Sequence, residues 1–250
     1  MTRIAISAVA ALTLLGGGAP TVDPALDRLL ACQDRAAGGA ALRAVNRIEY
    51  DLAIEEQRHA LTARYRAVRE GIAGRMRIDV FAAGTRVYSE WWDGRQAWQL
   101  PQAAERPVQS QVKGSEALRR GLEQPGHFWT LADMPRNGHS VALESADSAD
   151  GRAYQVVKLT LADGFTNWYW VNPGSCRIER SRSFRAFHPD QDTTKKWVEV
   201  VHDDFRSVGG ITRPFRERTV DLRTGDLVAT ARILALHFDP PFNSDSLSVP

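Results

Sequence analysis

Two short segments hold the side chains best suited to chemistry. His188, Asp190 and Asp192 lie close together, and His202-Asp203-Asp204 repeats the same types nearby. Imidazole and carboxylate together suit zinc and other transition metals, while carboxylates alone suit harder cations. Short clusters of this kind are also ordinary in solvated hairpins, and a zinc site needs three or four placed ligands. No metal ligand is assigned. His127 and His139 bracket a second region, and either could act as a general base beside a carboxylate such as Asp133. No nucleophile accompanies them. The chain has no Gly-x-Ser-x-Gly elbow, no Gly-x-x-x-x-Gly-Lys phosphate loop and no His-Glu-x-x-His. No catalytic residue is assigned, and the chain is not read as an enzyme. Arg75, Arg77, Arg180, Arg182 and Arg185 fall on polar phases of strand-like runs. Guanidinium groups bind phosphate in a bidentate way, but the phase reads as a solvated face.

The start of the chain addresses it. Arg3 precedes the uncharged apolar run Ile4 to Leu15, and Gly16-Gly17-Gly18-Ala19 follows. That order is a secretory signal over residues 1–19. Its apolar run is shorter than the ~20 residues a spanning helix needs. Residues 20–250 are read as a single domain, free of any stable membrane span once the signal is removed. The formal net charge of the whole chain is +2, which is not the footprint of a nucleic-acid binder. Cys32 and Cys176 are the only cysteines. They are far apart in sequence, and two largely buried, unpaired thiols are expected.

The elements that position these groups are mostly strands. Asp23-Pro24 fits an N-cap with proline at the first helical position, and Gly38-Gly39 ends that helix. Ile48, Tyr50, Leu52 and Ile54 alternate with Glu49, Asp51, Ala53 and Glu55, the period of a strand with one wet face. Three two-residue hairpin turns are expected. Asp93-Gly94 would set Trp91 opposite Gln96 and Ser89 opposite Trp98, with Val87, Trp91, Trp98 and Leu100 on the core face. Asp163-Gly164 would set Leu159 opposite Trp168 and Val157 opposite Trp170, leaving Asn167 and Tyr169 on the other face. Thr224-Gly225 would set Leu222 opposite Leu227 and Glu217 opposite Arg232, with the glutamate on the wet side. Between the first two hairpins, Ser115 to Glu123 reads as a helix opening an irregular excursion to Gly138. The expected fold class is mainly β: ten or eleven antiparallel strands with two or three short helices. A sheet that large must curl or close.

The C-terminal stretch runs Trp197-Val198-Glu199-Val200-Val201-His202-Asp203-Asp204-Phe205-Arg206, then Val208-Gly209-Gly210-Ile211-Thr212-Arg213-Pro214-Phe215. A hairpin at Thr224-Gly225, a last long strand and Phe242-Asn243 follow. With Arg75 to Val80 and Trp92-Asp93-Gly94 before Trp98, this order resembles the LolA-like superfamily of periplasmic lipoprotein carriers in Gram-negative bacteria. The resemblance covers most of residues 25 to 245 and rests mainly on turns, which specify fold better than function. It implies a curled antiparallel sheet forming an unclosed half-barrel covered by short helices, with an apolar interior that shelters acyl chains. The chain is longer than the dedicated carriers and lacks the lipid-anchored cysteine of the receptor member.

An open sheet rich in aromatics leaves an apolar cleft, and such clefts are the usual binding sites. The cleft candidates are Tyr50, Leu52, Tyr65, Met76, Ile78, Val80, Trp91, Trp98, Trp168 and Trp170. The lid candidates are Leu118, Leu122, Phe128, Trp129 and Leu131, within a gating segment 114–138. The expected function is a periplasmic binding or carrier protein for a lipid-like ligand, such as the acyl chain of a lipoprotein, with no cofactor. One alternative is an envelope sensor or assembly factor that holds a protein partner on the same surface. The other is an envelope hydrolase.

Overall fold

The computed structural model describes residues 23–56, 59–187, 189–190 and 192–249. The expected export segment and His188 lie outside the described residues.

Asp23 caps the first helix by accepting from the Ala25 backbone N–H at 2.8 Å, and Pro24 occupies the first turn. This helix, α1, runs Pro24–Ala37 and stops at Gly38 in the left-handed region, where a side chain would strain the backbone and press on Ile211. A short α2, Ala40–Ala44, leads into the sheet. Its strands are β1 Arg47–Glu56, β2 His59–Val68, β3 Arg75–Ala82, β4 Thr85–Trp92, β5 Ala97–Pro101 and β6 Val108–Gln109. After α3, Val112–Glu123, come β7 Ser140–Leu143, β8 Asp147–Ala149, β9 Arg152–Thr160, β10 Thr166–Val171, β11 Ile178–Arg185, β12 Lys196–Val208, β13 Ile211–Asp221 and β14 Leu227–Phe238. Among the described residues no helix is long and apolar enough to cross a membrane.

All pairings are antiparallel, in the order β6-β5-β4-β3-β2-β1-β14-β13-β12-β11-β10-β9-β7, with β8 beside β9. The sheet does not close into a barrel. The two ends of the meander meet at its middle, where Tyr50 faces Leu236 and Ile48 faces Phe238. The extra strands beyond the expected number include the two- and three-residue β6 and β8, too short to show a period.

The helices cover one face, called inner here. On it, Leu42, Val45, Ile48, Tyr65, Met76, Trp92, Leu122, Phe128, Phe215 and Leu236 form one core. Leu29 and Leu30 of α1 pack with Leu131, Val157, Leu159 and Tyr169 in a second. Removing such side chains from water is the main force holding the cover on the sheet, at ~25 cal/mol per Å².

The three hairpins differ from the expected turns, with consequences for both faces. At Asp93 the loop has four residues, because the Asp93 carboxylate accepts from the N–H groups of Arg95 and Gln96 at 2.8 and 3.0 Å. Trp91 therefore faces Trp98, and Ser89 faces Leu100. The inner face carries Trp92 and Ala97, in line with Ala67 and Met76. Trp91 and Trp98 are on the outer side. Trp91 is still fully buried there: Arg77 stacks on it at 4.9 Å and donates to the Ser246 carbonyl of the C-terminal turn, which packs on β2 and β3.

Beyond β9, Leu161 N–H donates to Phe165 C=O, leaving a three-residue loop with Gly164 at φ 82°. The register slips by one residue, so Tyr169 faces Val157 and Asn167 faces Leu159. A slip of one exchanges the two faces of a strand. Trp168 and Trp170 thus point outward, and the Trp170 indole donates to Asp147. In the third hairpin an irregularity between Thr219 and Val220 sets Leu227 opposite Val220 and Glu217 opposite Ala231. Glu217 lies on the inner face instead of the wet one.

The cysteines are paired, not free as expected. Cys32 of α1 and Cys176 in the turn between β10 and β11 form a disulfide with Cα atoms 5.6 Å apart, a normal bridging distance. The fold brings together residues 144 apart in sequence. Nor are the five arginines uniformly solvated. Arg180 is buried against Glu199 at 2.8 Å, and Arg185 shares the inner face with Ser181 and Ser183, whose β10 partners are Tyr169 and Asn167.

Candidate functional site

Between the inner face and its cover lies a cavity of about 320 Å³, within the range of small-molecule sites. Tyr50 and Leu52 of β1, Phe215 of β13 and Ile233 and Leu236 of β14 supply an apolar wall. Trp129 lies over it, held by its indole N–H to the Ile72 carbonyl at 3.1 Å and by Arg69 stacked at 4.8 Å. His127, Ser181, His202, Arg213 and Glu217 add polar groups.

Three rings organise one end. Tyr50 stacks on Tyr65 with centroids 4.5 Å apart, and Tyr65 stacks on His127 at 4.7 Å. His127 Nδ1 lies 3.2 Å from the Gly121 carbonyl, and its Nε2 lies 2.8 Å from the Tyr50 hydroxyl. A carbonyl only accepts, so Nδ1 carries the proton and Nε2 accepts from the tyrosine. Burial, aided by the Arg213 charge, lowers the His127 pKa to about 4, which keeps this neutral form at pH 7. Burial pushes both tyrosines well above their ordinary range. The stack is an uncharged, hydrogen-bonded wall.

The other end is charged. The Glu217 carboxylate accepts from His202 Nδ1 at 3.1 Å. Burial opposes its ionisation, but the His202 hydrogen bond and the charges of His202 and Arg213 hold its pKa below the ordinary value.

Of the expected cleft residues, Tyr50, Leu52, Tyr65, Met76, Ile78 and Val80 share the inner face, and Tyr50 and Leu52 line the cavity itself. Tyr65 backs the ring stack. Met76 and Ile78 pack in the core beside it, and Val80 faces Ala63 and Tyr88. Trp91, Trp98, Trp168 and Trp170 stand on the outer face, away from the cavity. Of the lid residues, Leu118, Leu122 and Phe128 pack into the first core and Leu131 into the second, while Trp129 touches both. Sequence reasoning missed Arg213, Phe215 and Ile233. A signal for the first was present: Arg213 shares the phase of buried Ile211 and Phe215.

The groups considered for catalysis do not assemble. His127 is engaged by Tyr50, and His139 Nδ1 accepts from the Ala162 N–H at 3.2 Å. Asp133 is engaged by Thr130. Among the described residues no three His, Cys, Asp or Glu side chains are grouped for a metal ion. Asp203 pairs with Arg216, and Asp204 pairs with Arg206 at 2.7 Å.

Glu90 lies further along the inner face, opposite Ile78 and Gln99. Burial, reinforced by the nearby Asp190 charge, raises its pKa from 4.5 to about 7. The folded chain thus holds a proton that the unfolded chain releases near pH 4.5. The stability linked to Glu90 is complete below that pH and is lost as pH rises through about 7. Glu90→Gln is expected to stabilise the protein by about 2 kcal/mol at pH 8 and hardly at all at pH 4.5. Thermal unfolding at both values checks this, and an equal effect at both would refute it.

No family model matches the chain, and no curated protein matches it. Solved structures do. A DUF1329 family protein from Desulfovibrio piger aligns with a TM-score of 0.60 at 12% identity, over 87% of this chain and 96% of that one. A domain from Vibrio parahaemolyticus, named for outer membrane lipoprotein sorting, aligns at 0.58 and 10%, over 88% and 95%. A LolA superfamily protein from Nitrosomonas europaea aligns at 0.56 and 16%, over 88% and 98%. Identities this low speak to the fold alone, and on that evidence the chain has the LolA-like fold.

Proposed function

We propose that this chain is an exported carrier that shelters the apolar part of a lipid-like ligand, such as the acyl chain of a lipoprotein. The observation that carries this reading is the cavity under Trp129, walled by Leu52, Phe215, Ile233 and Leu236 on an open sheet. Each CH₂ moved from water into it gains ~0.8 kcal/mol. The helical cover favours a slender ligand over a protein partner, because it occupies much of the inner face. The 1–19 segment supports export to the periplasm, where a disulfide such as Cys32–Cys176 persists. The fold shared with a domain named for lipoprotein sorting is in keeping with the same role.

The test places a charge in the wall. Leu52→Glu is expected to weaken uptake of a fluorescent acyl probe at least tenfold, with far-UV circular dichroism unchanged. Leu52→Trp fills the cavity without charge and is expected to do the same. Normal uptake by both folded variants would remove the cavity from the account.

A further inference from the structure

Arg213 sits in β13 between two residues of the first core, Ile211 and Phe215. Its side chain lines the cavity. Two guanidinium groups elsewhere in the chain, those of half-buried Arg69 and buried Arg180, have partners. Arg69 donates to the carbonyls of Leu42, Arg43 and Phe128, and Arg180 is paired with Glu199. Among the described residues, Arg213 has neither an ion pair nor a side-chain hydrogen bond. Its neighbours are committed: Glu217 accepts from His202, and the Tyr50 hydroxyl donates to His127. Arg185, on the same face of β11, stacks on Phe187 and has no carboxylate partner among the described residues. Two guanidinium groups therefore share the field of one carboxylate, Glu217. A charge removed from water without a counter-ion is costly, and guanidinium is shaped to receive a carboxylate or phosphate in a bidentate way.

We propose that Arg213 is an anion anchor, and that the ligand is an amphiphile whose carboxylate or phosphate head meets Arg213 while its chain lies along Leu52, Ile233 and Leu236. The inference rests on the carrier reading and sharpens it. A neutral or cationic amphiphile leaves the guanidinium with only its share of Glu217, so the cavity selects by head group as well as by chain.

The experiment uses protein stripped of bound lipid by solvent extraction and refolded. It is titrated by calorimetry with dodecanoate, dodecyl phosphate, dodecanol, dodecyltrimethylammonium and inorganic phosphate. The expected result is at least tenfold tighter binding of the two anionic amphiphiles than of dodecanol, with the cationic one weakest. Arg213→Gln is expected to erase that preference, bringing dodecanoate and dodecyl phosphate down to the affinity the same variant has for dodecanol. It is also expected to leave the melting temperature of the stripped protein equal or higher, since it removes a half-buried charge that has no ion pair. Arg213→Lys, which keeps the charge but loses the fork, is expected to retain part of the preference. Equal binding of dodecanoate and dodecanol by the unaltered protein would overturn the anchor and leave the carrier reading standing. So would an Arg213→Gln or Arg213→Lys protein with undiminished preference. Inorganic phosphate binding as tightly as dodecyl phosphate would replace the amphiphile by a small anion. Failure of every dodecyl compound to bind would remove the carrier reading itself.

Discussion

Replacing Cys32 and Cys176 together by alanine is expected to lower the free energy of unfolding by about 4 kcal/mol. The bridge closes a segment of 144 residues, and the chain-entropy account gives a loop of that size roughly 5 kcal/mol, with measured losses typically 2–5. The lower figure is the expectation because α1 is held in other ways. Gln33 accepts from the Leu131 N–H at 3.0 Å, and Asp34 is paired with Arg43 at 2.6 Å. The effect should therefore fall on the unfolded chain more than on the native cover. Urea unfolding of the double variant should show a lower midpoint, together with a larger m-value because the unfolded chain expands. A midpoint equal to that of the oxidised protein would mean that the bridge constrains nothing.

Asp133→Ala is the second large effect, expected to cost about 3 kcal/mol. Asp133 is completely buried. Its carboxylate accepts from the Thr130 N–H at 2.8 Å and the Thr130 hydroxyl at 3.0 Å, and Arg136 pairs with it from outside. Arg43 stands 3.6 Å away. The single Thr130 hydroxyl proton is shared between Asp133 and Asp34, whose carboxylate lies 2.9 Å from the same oxygen, so this cluster, with Arg43 between the two carboxylates, joins the excursion after α3 to the corner between α1 and α2. Removing the Asp133 carboxylate leaves a buried N–H unsatisfied and an arginine without part of its counter-charge, losses of roughly 1–3 kcal/mol for the donor alone. Because this network positions the segment next to Trp129, hydrogen exchange at Leu131 and Met134 should accelerate more than exchange in β1. Unchanged exchange at those two amides would contradict the role given to Asp133.

The parts of this structure that could be read from sequence are those in which a short-range rule acts alone. The Asp23-Pro24 start of α1 follows from capping chemistry. The inward phase of Tyr50 and Leu52 follows from period two in β1. The hairpins show where such rules fail. Asp-Gly identifies a turn but does not count its residues. At Asp93 the carboxylate recruits two N–H groups and lengthens the loop by two, which leaves Trp91, Trp98 and Leu100 sharing a face, the outer one instead of the expected core face, but changes the partners. At Asp163 a single added residue turns Trp168 and Trp170 outward. The same error in the third hairpin placed Glu217 in water, concealing the charged end of the cavity. The disulfide was illegible for another reason, since only the packing of α1 on the β10–β11 turn brings Cys32 to Cys176. Large aromatics were also a poor guide to the inside. Trp91 is buried on the outer face by an arginine and the C-terminal turn.

The proposed carrier role requires that the cavity hold an amphiphile in the cell. Native mass spectrometry of the full chain, expressed, exported and recovered without detergent, tests that directly. The prediction is a discrete mass above that of the processed polypeptide, extractable into organic solvent, identified as an anionic lipid or acylated molecule, and absent from Leu52→Glu. A bare polypeptide mass, from protein that also takes up no dodecanoate after stripping, would contradict it.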